Sequence, residues 1–284
     1  MRFKNIVFSL ILSIGILHAK DIDNNVTWQI IHWPPFMTIE KNNVKGEYVE
    51  LLNFIETNLP SYKHKRRIMP WSRVWHEIKY GKNTCNIFAF KNEEREEFTK
   101  FSVPFSIFSS NHLIMKESTA EKLGLDIKKP YSLAELLKIK SIKGVLDKSR
   151  SYSTKIDNIL KENELTSNFQ RKPFTAIRLL ELLNINRVDY ILEYPSVILN
   201  MAQNIKLKED LVFIQIKEIP PFSYGYVACP KNQWGEQIIT KIDNIIIKNR
   251  GTKQYQDMIE LMVSSDIELK LMREIYPNFI KSYK

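Results

Sequence analysis

The alternation of strand-like and helix-like segments is the feature that most constrains the fold of this chain. A β-like segment at 27–33 is followed by a segment at 48–59 whose apolar residues recur at helical spacing. A second strand-like segment (63–69), an amphipathic helical segment (71–82) and a third apolar strand (85–90) continue the series. This βαβαβ order predicts a mostly parallel sheet covered by helices.

A second α/β series follows an extended segment at 105–116. Its helix-like and strand-like segments are 131–139, 143–148, 153–163, 175–185 and 187–194, and they are followed by an extended segment (211–229) and two helical segments (236–251 and 254–262). A chain of 284 residues is long enough for about two domains that each bury a core. The pattern therefore predicts an α/β protein with two units.

The N-terminal residues 1–19 have the features of a secretory signal peptide. Arg2 and Lys4 form a basic start, the run from Ile6 to Leu17 is apolar, and Ala19 is a small residue at which a peptidase could cut. The apolar run is short for a bilayer span, and an uncleaved membrane anchor is the alternative. We expect a protein exported to the periplasm.

The composition is that of a globular protein, with 44% hydrophobic and 26% charged residues. The net charge of +10 is compatible with nucleic acid or anionic membranes as partners. However, the lysines are spread along the chain, the longest basic run is only "KHKRR" at 63–67, and export argues against nucleic acid. We therefore expect no nucleic-acid partner.

Motifs for metal, nucleotide or acyl-transfer chemistry are missing from the sequence. The histidines show no HExxH or other paired spacing, and there is no G-x-S-x-G and no Gly-rich phosphate loop. We expect no metal site and no cofactor.

Several segments, taken in their order, resemble the type 2 periplasmic solute-binding proteins of the amino-acid-binding family (family 3), and an exported, poorly characterised branch of that superfamily. The segments are "WPPF" (33–36), "KGEYVELLNFI" (45–55), "PWSRVWHEIKYGKNTCNIFAF" (70–90), "EEREEFTKFSVPF" (93–105) and "RVDYILEY" (187–194). The resemblance implies two α/β lobes joined by two hinge crossings, with residues 24–110 and 226–284 in lobe one and residues 111–225 in lobe two. A ligand would bind in the cleft between the lobes, at the carboxyl ends of the strands.

The chain has two cysteines, Cys85 and Cys229. In an exported protein an even number of cysteines permits a disulfide, and two buried thiols are the alternative. The resemblance places both residues in lobe one, which favours the disulfide.

Arg95 occupies the position where the family keeps an arginine that pairs with a ligand carboxylate. A guanidinium offers a planar fork of donors that matches a carboxylate and stays charged in a cleft. The alternative is a surface arginine solvated among the four glutamates of residues 93–97.

Glu193 matches the lobe-two acid that receives a ligand amino group in the family, and an ion pair with a nearby lysine is the alternative. Trp33 matches an aromatic residue that packs against the ligand, with a core position as the alternative. Trp71 and Trp75 lie on one helical stripe and are interpreted as packing residues.

The segment 147–153 ends a strand and opens a helix, so Ser151 and nearby N–H groups are predicted to hold an anion, with an ordinary N-cap serine as the alternative. Arg150 would make the site more cationic if it faced inward. Tyr152 and Phe90 complete the predicted ligand-binding set. Phe90 stands where the family commonly has a Thr or Ser, which weakens the case for an ordinary α-amino acid.

The resemblance implies a monomeric, noncatalytic protein that delivers a small carboxylate-bearing ligand to an ABC-type membrane permease. Two other functions remain open. One is a periplasmic dehydratase acting on cyclohexadienyl amino-acid precursors, with Glu193 as general acid. The other is a sensor that presents a ligand-bound form to a membrane receptor.

Overall fold

A computed structural model describes residues 23–41, 43–148, 150–165, 168–263 and 266–282. The predicted signal peptide, residues 1–19, lies outside these ranges. Within them, no helix is long and apolar enough to cross a membrane. The architecture is the predicted one: two α/β lobes, each built on its own sheet.

The N-terminal part of the chain builds most of the first sheet. Its elements are β1 (Asn25–Ile30), β2 (Thr38–Glu40), β3 (Asn43–Lys45), α1 (Glu47–Asn58), β4 (Lys63–Ile68), α2 (Trp71–Lys79), β5 (Thr84–Ala89), α3 (Glu93–Phe98), β6 (Thr99–Phe101) and β7 (Ser106–Ser109). Strand β1 pairs in parallel with β4 and β5, as the alternation predicts. Every residue of β5 is buried, which suits a central strand covered on both faces, whereas the basic β4 forms an edge.

The middle of the chain builds the second sheet. Its elements are β8 (His112–Lys116), α4 (Glu117–Lys122), α5 (Leu133–Leu136), β9 (Gly144–Asp147), α6 (Thr154–Glu162), β10 (Phe169–Lys172), α7 (Ala176–Asn184), β11 (Tyr190–Glu193), α8 (Pro195–Ala202) and β12 (Leu211–Gln215). The strand order is β10-β9-β11-β8-β12, and the first three strands are parallel. Strand β8 runs antiparallel to both of its neighbours.

The C-terminal part of the chain returns to the first sheet. It contains β13 (Phe222–Pro230), α9 (Gln233–Asn249), α10 (Lys253–Glu260) and α11 (Asp266–Lys281). Strand β13 pairs antiparallel with β5, β6 and β7, so both ends of the chain contribute to lobe one. The residue limits of the lobes, 24–110 with 226–284 and 111–225, stay a prediction.

The predicted disulfide between Cys85 and Cys229 is present and confirmed. It joins neighbouring strands β5 and β13, and both residues are fully buried. The bond therefore connects the N-terminal and C-terminal contributions to lobe one.

The two crossings between the lobes lie side by side. The backbone N–H of Ser110, between β7 and β8, donates to the carbonyl of Pro221, just before β13, at 2.9 Å. The Ser110 and Ser223 hydroxyls are 2.7 Å apart and share a further hydrogen bond. These contacts join the two crossing segments to each other between the two sheets.

Candidate functional site

A cavity of about 720 Å³ lies between the two lobes. Lobe one contributes residues 31–34 after β1, together with Phe88 and Phe90 at the end of β5. Lobe two contributes Asp147 and Glu193, the last residues of β9 and β11. The volume and position are those of a small-molecule site in an α/β protein, and the cavity lies where the sequence predicted the cleft.

Aromatic side chains form much of the cavity wall. They are Trp33, Trp71, Trp75, Phe88, Phe90 and Tyr194. The Trp33 ring lies 4.6 Å from that of Phe88 and 5.7 Å from that of Tyr194, measured between ring centroids. Trp33 therefore contacts the other lobe as well as its own, in addition to lining the cavity.

Helix α2 presents Trp71 and Trp75 to the cavity because residues four apart share one helix face. The neighbouring face buries Val74 and Ile78. Trp71 and Trp75 contact this small core cluster, as the sequence interpretation held, and they also line the cleft. It was not predicted from the sequence that Trp71 and Trp75 line the cleft. Two tryptophans four residues apart beside a predicted strand end could have indicated it.

Arg95 lies in α3, where the Asn92 side chain caps the helix by accepting a hydrogen bond from the Arg95 backbone N–H at 2.9 Å. Its guanidinium stacks over the Trp75 ring, 4.1 Å from the ring centroid, and Nη1 donates to the carbonyl of Phe90 at 3.1 Å. Burial lowers the pKa of Arg95, and Glu94 and Asp157 oppose this shift. The guanidinium is thus fixed in position at the edge of the cavity.

No carboxylate in the described part of the chain forms an ion pair with Arg95. The four surrounding glutamates of residues 93–97 leave it unpaired, and its remaining N–H groups are available to a ligand. The geometry suits the predicted role in carboxylate binding better than that of a solvated surface charge.

Arg150 faces the cavity and pairs with Glu193 inside lobe two. Its guanidinium also donates to the Asn111 side chain at 3.2 Å and packs 4.9 Å from the ring centroids of both Tyr152 and Tyr194. Burial opposes the charged form of Arg150, but the Glu193 carboxylate, together with Tyr152 and Tyr194, outweighs burial and raises the pKa of Arg150. The partner of Glu193 is therefore an arginine, and not the lysine considered from the sequence.

The Glu193 carboxylate is almost fully enclosed, with 1% of its side chain exposed. One oxygen accepts from Arg150 and the other accepts from the backbone N–H of Tyr194 at 2.8 Å. Both oxygens are thus used as acceptors within the protein. The predicted contact between Glu193 and a ligand amino group stays a prediction, and it would compete with these bonds.

Ser151 lies before α6 and donates its hydroxyl to the Asp157 side chain. The other Asp157 oxygen accepts from the Tyr152 N–H at 3.0 Å. The N-cap of α6 is Ser153, whose hydroxyl accepts from the Ile156 N–H at 3.4 Å. Donors that were predicted to hold an anion are therefore occupied by a carboxylate of the same helix.

Tyr152 is buried behind Arg150. Its hydroxyl accepts a hydrogen bond from the Asp147 N–H at 2.8 Å, and burial raises the pKa of the phenol. Because Tyr152 does not line the cavity, its geometry supports Arg150 from behind. Phe90 does line the cavity, with its ring 5.5 Å from that of Phe108.

A second cavity of about 630 Å³ adjoins the first and shares Trp75, Arg95, Arg150 and Ser151 with it. Its lining is mainly charged. Arg171 is one of the lining cations, and it was not predicted from the sequence. Arg171 Nη2 donates to the carbonyl of Arg150 at 2.9 Å, and no described carboxylate forms an ion pair with it. The cleft therefore has an aromatic compartment and a charged compartment, and Arg95 and Trp75 stand between them.

Within the described ranges, no group of three His, Cys, Asp or Glu side chains could hold a metal ion. The chemistry available at the cleft is that of arginine donors, aromatic faces and engaged carboxylates.

No protein-family model and no curated protein matches the chain. Solved structures do match. A substrate-binding protein of an amino acid ABC transporter from Streptococcus pneumoniae, bound to L-arginine, is 18% identical with a TM-score of 0.62 over 84% of this chain and 92% of that chain. A histidine kinase sensor domain with similarity to periplasmic binding proteins is 19% identical with a TM-score of 0.64 over 84% of this chain and 96% of that chain.

The ancestral amino-acid-binding protein AncCDT-1, a precursor of cyclohexadienyl dehydratase, is 14% identical with a TM-score of 0.64, over 85% of this chain and 96% of that chain. Most of these neighbours are binding proteins. At these identities the likeness concerns the fold, and it agrees with the two sheets and the cleft described above. The chain has the two-lobed fold of the type 2 periplasmic amino-acid-binding proteins.

Proposed function

We propose that this protein is an exported solute-binding protein that captures a small carboxylate-bearing ligand between its lobes for an ABC-type transporter. The observation that carries the proposal is Arg95, a guanidinium held against Trp75 at the interlobe cavity without an ion-pair partner among the described residues. A half-buried cation that is fixed in place and has no ion-pair partner among the described residues is a ready site for a carboxylate.

Export and transport are supported by separate observations. Residues 1–19 have the pattern of a signal peptide, and the S. pneumoniae neighbour serves an amino acid ABC transporter. The likeness to a histidine kinase sensor domain supports sensing as a second candidate function. A permease and an ATPase encoded beside this gene would favour transport, and a receptor gene would favour sensing.

The dehydratase alternative is weaker. Glu193 was its candidate general acid, but both carboxylate oxygens accept hydrogen bonds from Arg150 and the Tyr194 N–H. A general acid has to donate a proton to the leaving group. Turnover of prephenate-like substrates by the purified protein would reverse this preference.

The experiment is a thermal-shift panel of amino acids, dicarboxylates, aromatic acids and short peptides on the purified protein. A ligand at about a hundredfold excess over its Kd stabilises the folded state by about 2.7 kcal/mol, which corresponds to a rise in Tm of about 5 °C or more. We expect the rise to vanish in Arg95→Ala and to persist in Arg187→Ala, which removes an exposed arginine outside the cleft. A cooperative transition that no carboxylate shifts would contradict the proposed function.

A further inference from the structure

The aromatic compartment is lined by two carboxylates that could receive an ammonium group, and both are already engaged. An ammonium brings several N–H donors that each need an acceptor once they leave water. Glu193 is engaged with Arg150 and the Tyr194 N–H, and Asp147, the other carboxylate of the aromatic compartment, is not free either. At the end of β5, Phe90 brings no hydroxyl, and its carbonyl already accepts from Arg95.

The charges of the compartment also give a cationic ligand group no net attraction, since its two carboxylates are balanced by two guanidinium groups. Arg95 and Arg150 both line the aromatic compartment, and their guanidinium groups cover faces of Trp75 and Tyr194. A further cation in this space would be repelled by Arg95, would meet a Glu193 carboxylate already neutralised by Arg150, and would find these aromatic faces occupied. Repulsion by Arg95 acts on quaternary ammonium groups as well as on primary ones.

The rest of the compartment suits an apolar group. Trp33 and Trp71 line it from lobe one, and Ile177 and Met201 line it from lobe two. A cavity of about 150 Å³ is enough to hold a benzene ring, and this one is about 720 Å³. There is room for an aromatic ring and a short chain that leads to Arg95.

We propose that the cleft takes an arylalkyl carboxylate without an ammonium group, its carboxylate on Arg95 and its ring between Trp71 and the apolar residues of lobe two. This inference rests on the proposed function and specifies the ligand class of the same site. It departs from the amino acids named for the structural neighbours.

The test uses four compounds that share one phenylpropane skeleton, together with L-arginine. They are 3-phenylpropanoate, phenylalanine, N,N,N-trimethylphenylalanine and 3-phenylpropanamide. Binding to the purified protein is measured by calorimetry and by tryptophan fluorescence, since Trp33, Trp71 and Trp75 line the cavity. The variants are Arg95→Ala and the control Arg187→Ala.

We expect 3-phenylpropanoate to bind at least about tenfold more tightly than each of the other compounds. Arg95→Ala should abolish this preference over the amide, and Arg187→Ala should leave it unchanged. Equal or tighter binding of phenylalanine, its trimethyl form or L-arginine would overturn the inference while leaving a carboxylate-binding function intact. If no compound binds, the inference is overturned, and the wider carboxylate panel then decides the proposed function.

Discussion

We predict that the ion pair between Arg150 and Glu193 stabilises the folded protein. This is expected of an internal structural pair, and not of a carboxylate that is kept free for a ligand. In the change Arg150→Met, Glu193, whose side chain is 1% exposed in the native protein, loses its guanidinium partner and keeps the bond from the Tyr194 N–H. Removing one partner of a buried pair leaves an uncompensated charge and typically costs about 3–5 kcal/mol. We expect a loss of that size in the free energy of unfolding.

The change Glu193→Gln should cost less, about 1.5–3 kcal/mol, because Arg150 keeps its bond to Asn111 and its contacts with two tyrosine rings. The double variant should lose at least about 1.5 kcal/mol less than the sum of the two single losses, since it leaves no buried charge alone.

The assay is urea unfolding followed by far-UV circular dichroism, with the Arg178 and Glu181 pair as the matched control. That pair lies on α7 in the same lobe, with side chains 52% and 46% exposed. Its cycle should give a coupling of about 0.5 kcal/mol or less. A cost below about 1 kcal/mol for Arg150→Met, or additive losses in the Arg150 and Glu193 cycle, would show that the two side chains do not act as a buried pair.

Two further predictions concern lobe one. The Cys85–Cys229 bond spans 144 residues of sequence, so the chain-entropy model assigns it about 5 kcal/mol of stabilisation. Replacing both cysteines with serine should therefore lower the free energy of unfolding in urea by several kcal/mol. A change below about 1 kcal/mol would contradict this expectation. Hydrogen bonds from Arg273 lower the pKa of Glu260 from 4.5 to about 2, so its contribution to stability is complete above about pH 4.5 and is lost as the pH falls toward 2. The Tm difference between wild type and Glu260→Gln should therefore shrink from about pH 5 to about pH 3, and a difference that is constant with pH would count against this assignment.

The layered fold was predictable because it depends on local patterns. The strand expected at 85–90 is β5 at Thr84–Ala89, and the helix expected at 48–59 is α1 at Glu47–Asn58. A continuous apolar run indicates a buried strand, and apolar residues at helical spacing indicate a helix with one buried face. The short helix α3 was recognised only as a cluster of charges, because its start depends on one capping contact from Asn92.

The site was predictable only in outline. The role predicted for Arg95 followed from the resemblance to the family, but its stacking on Trp75 depends on how α2 packs beside β5. The partner of Glu193 lies 43 residues away in the sequence, and no local pattern indicates which of many cations will reach it. Long-range pairs of this kind are decided by the approach of two strand ends, which single-sequence periodicity does not encode.

The central claim is that Arg95 anchors a ligand carboxylate in the interlobe cleft. Isothermal titration calorimetry tests it most directly, with the tightest-binding carboxylate and its carboxamide against wild type, Arg95→Ala and Arg187→Ala. We expect a loss of about 100-fold in affinity for Arg95→Ala, a similar loss for the carboxamide in wild type, and no change for Arg187→Ala. Binding of the carboxylate to Arg95→Ala within about threefold of wild type would show that Arg95 is not the anchor.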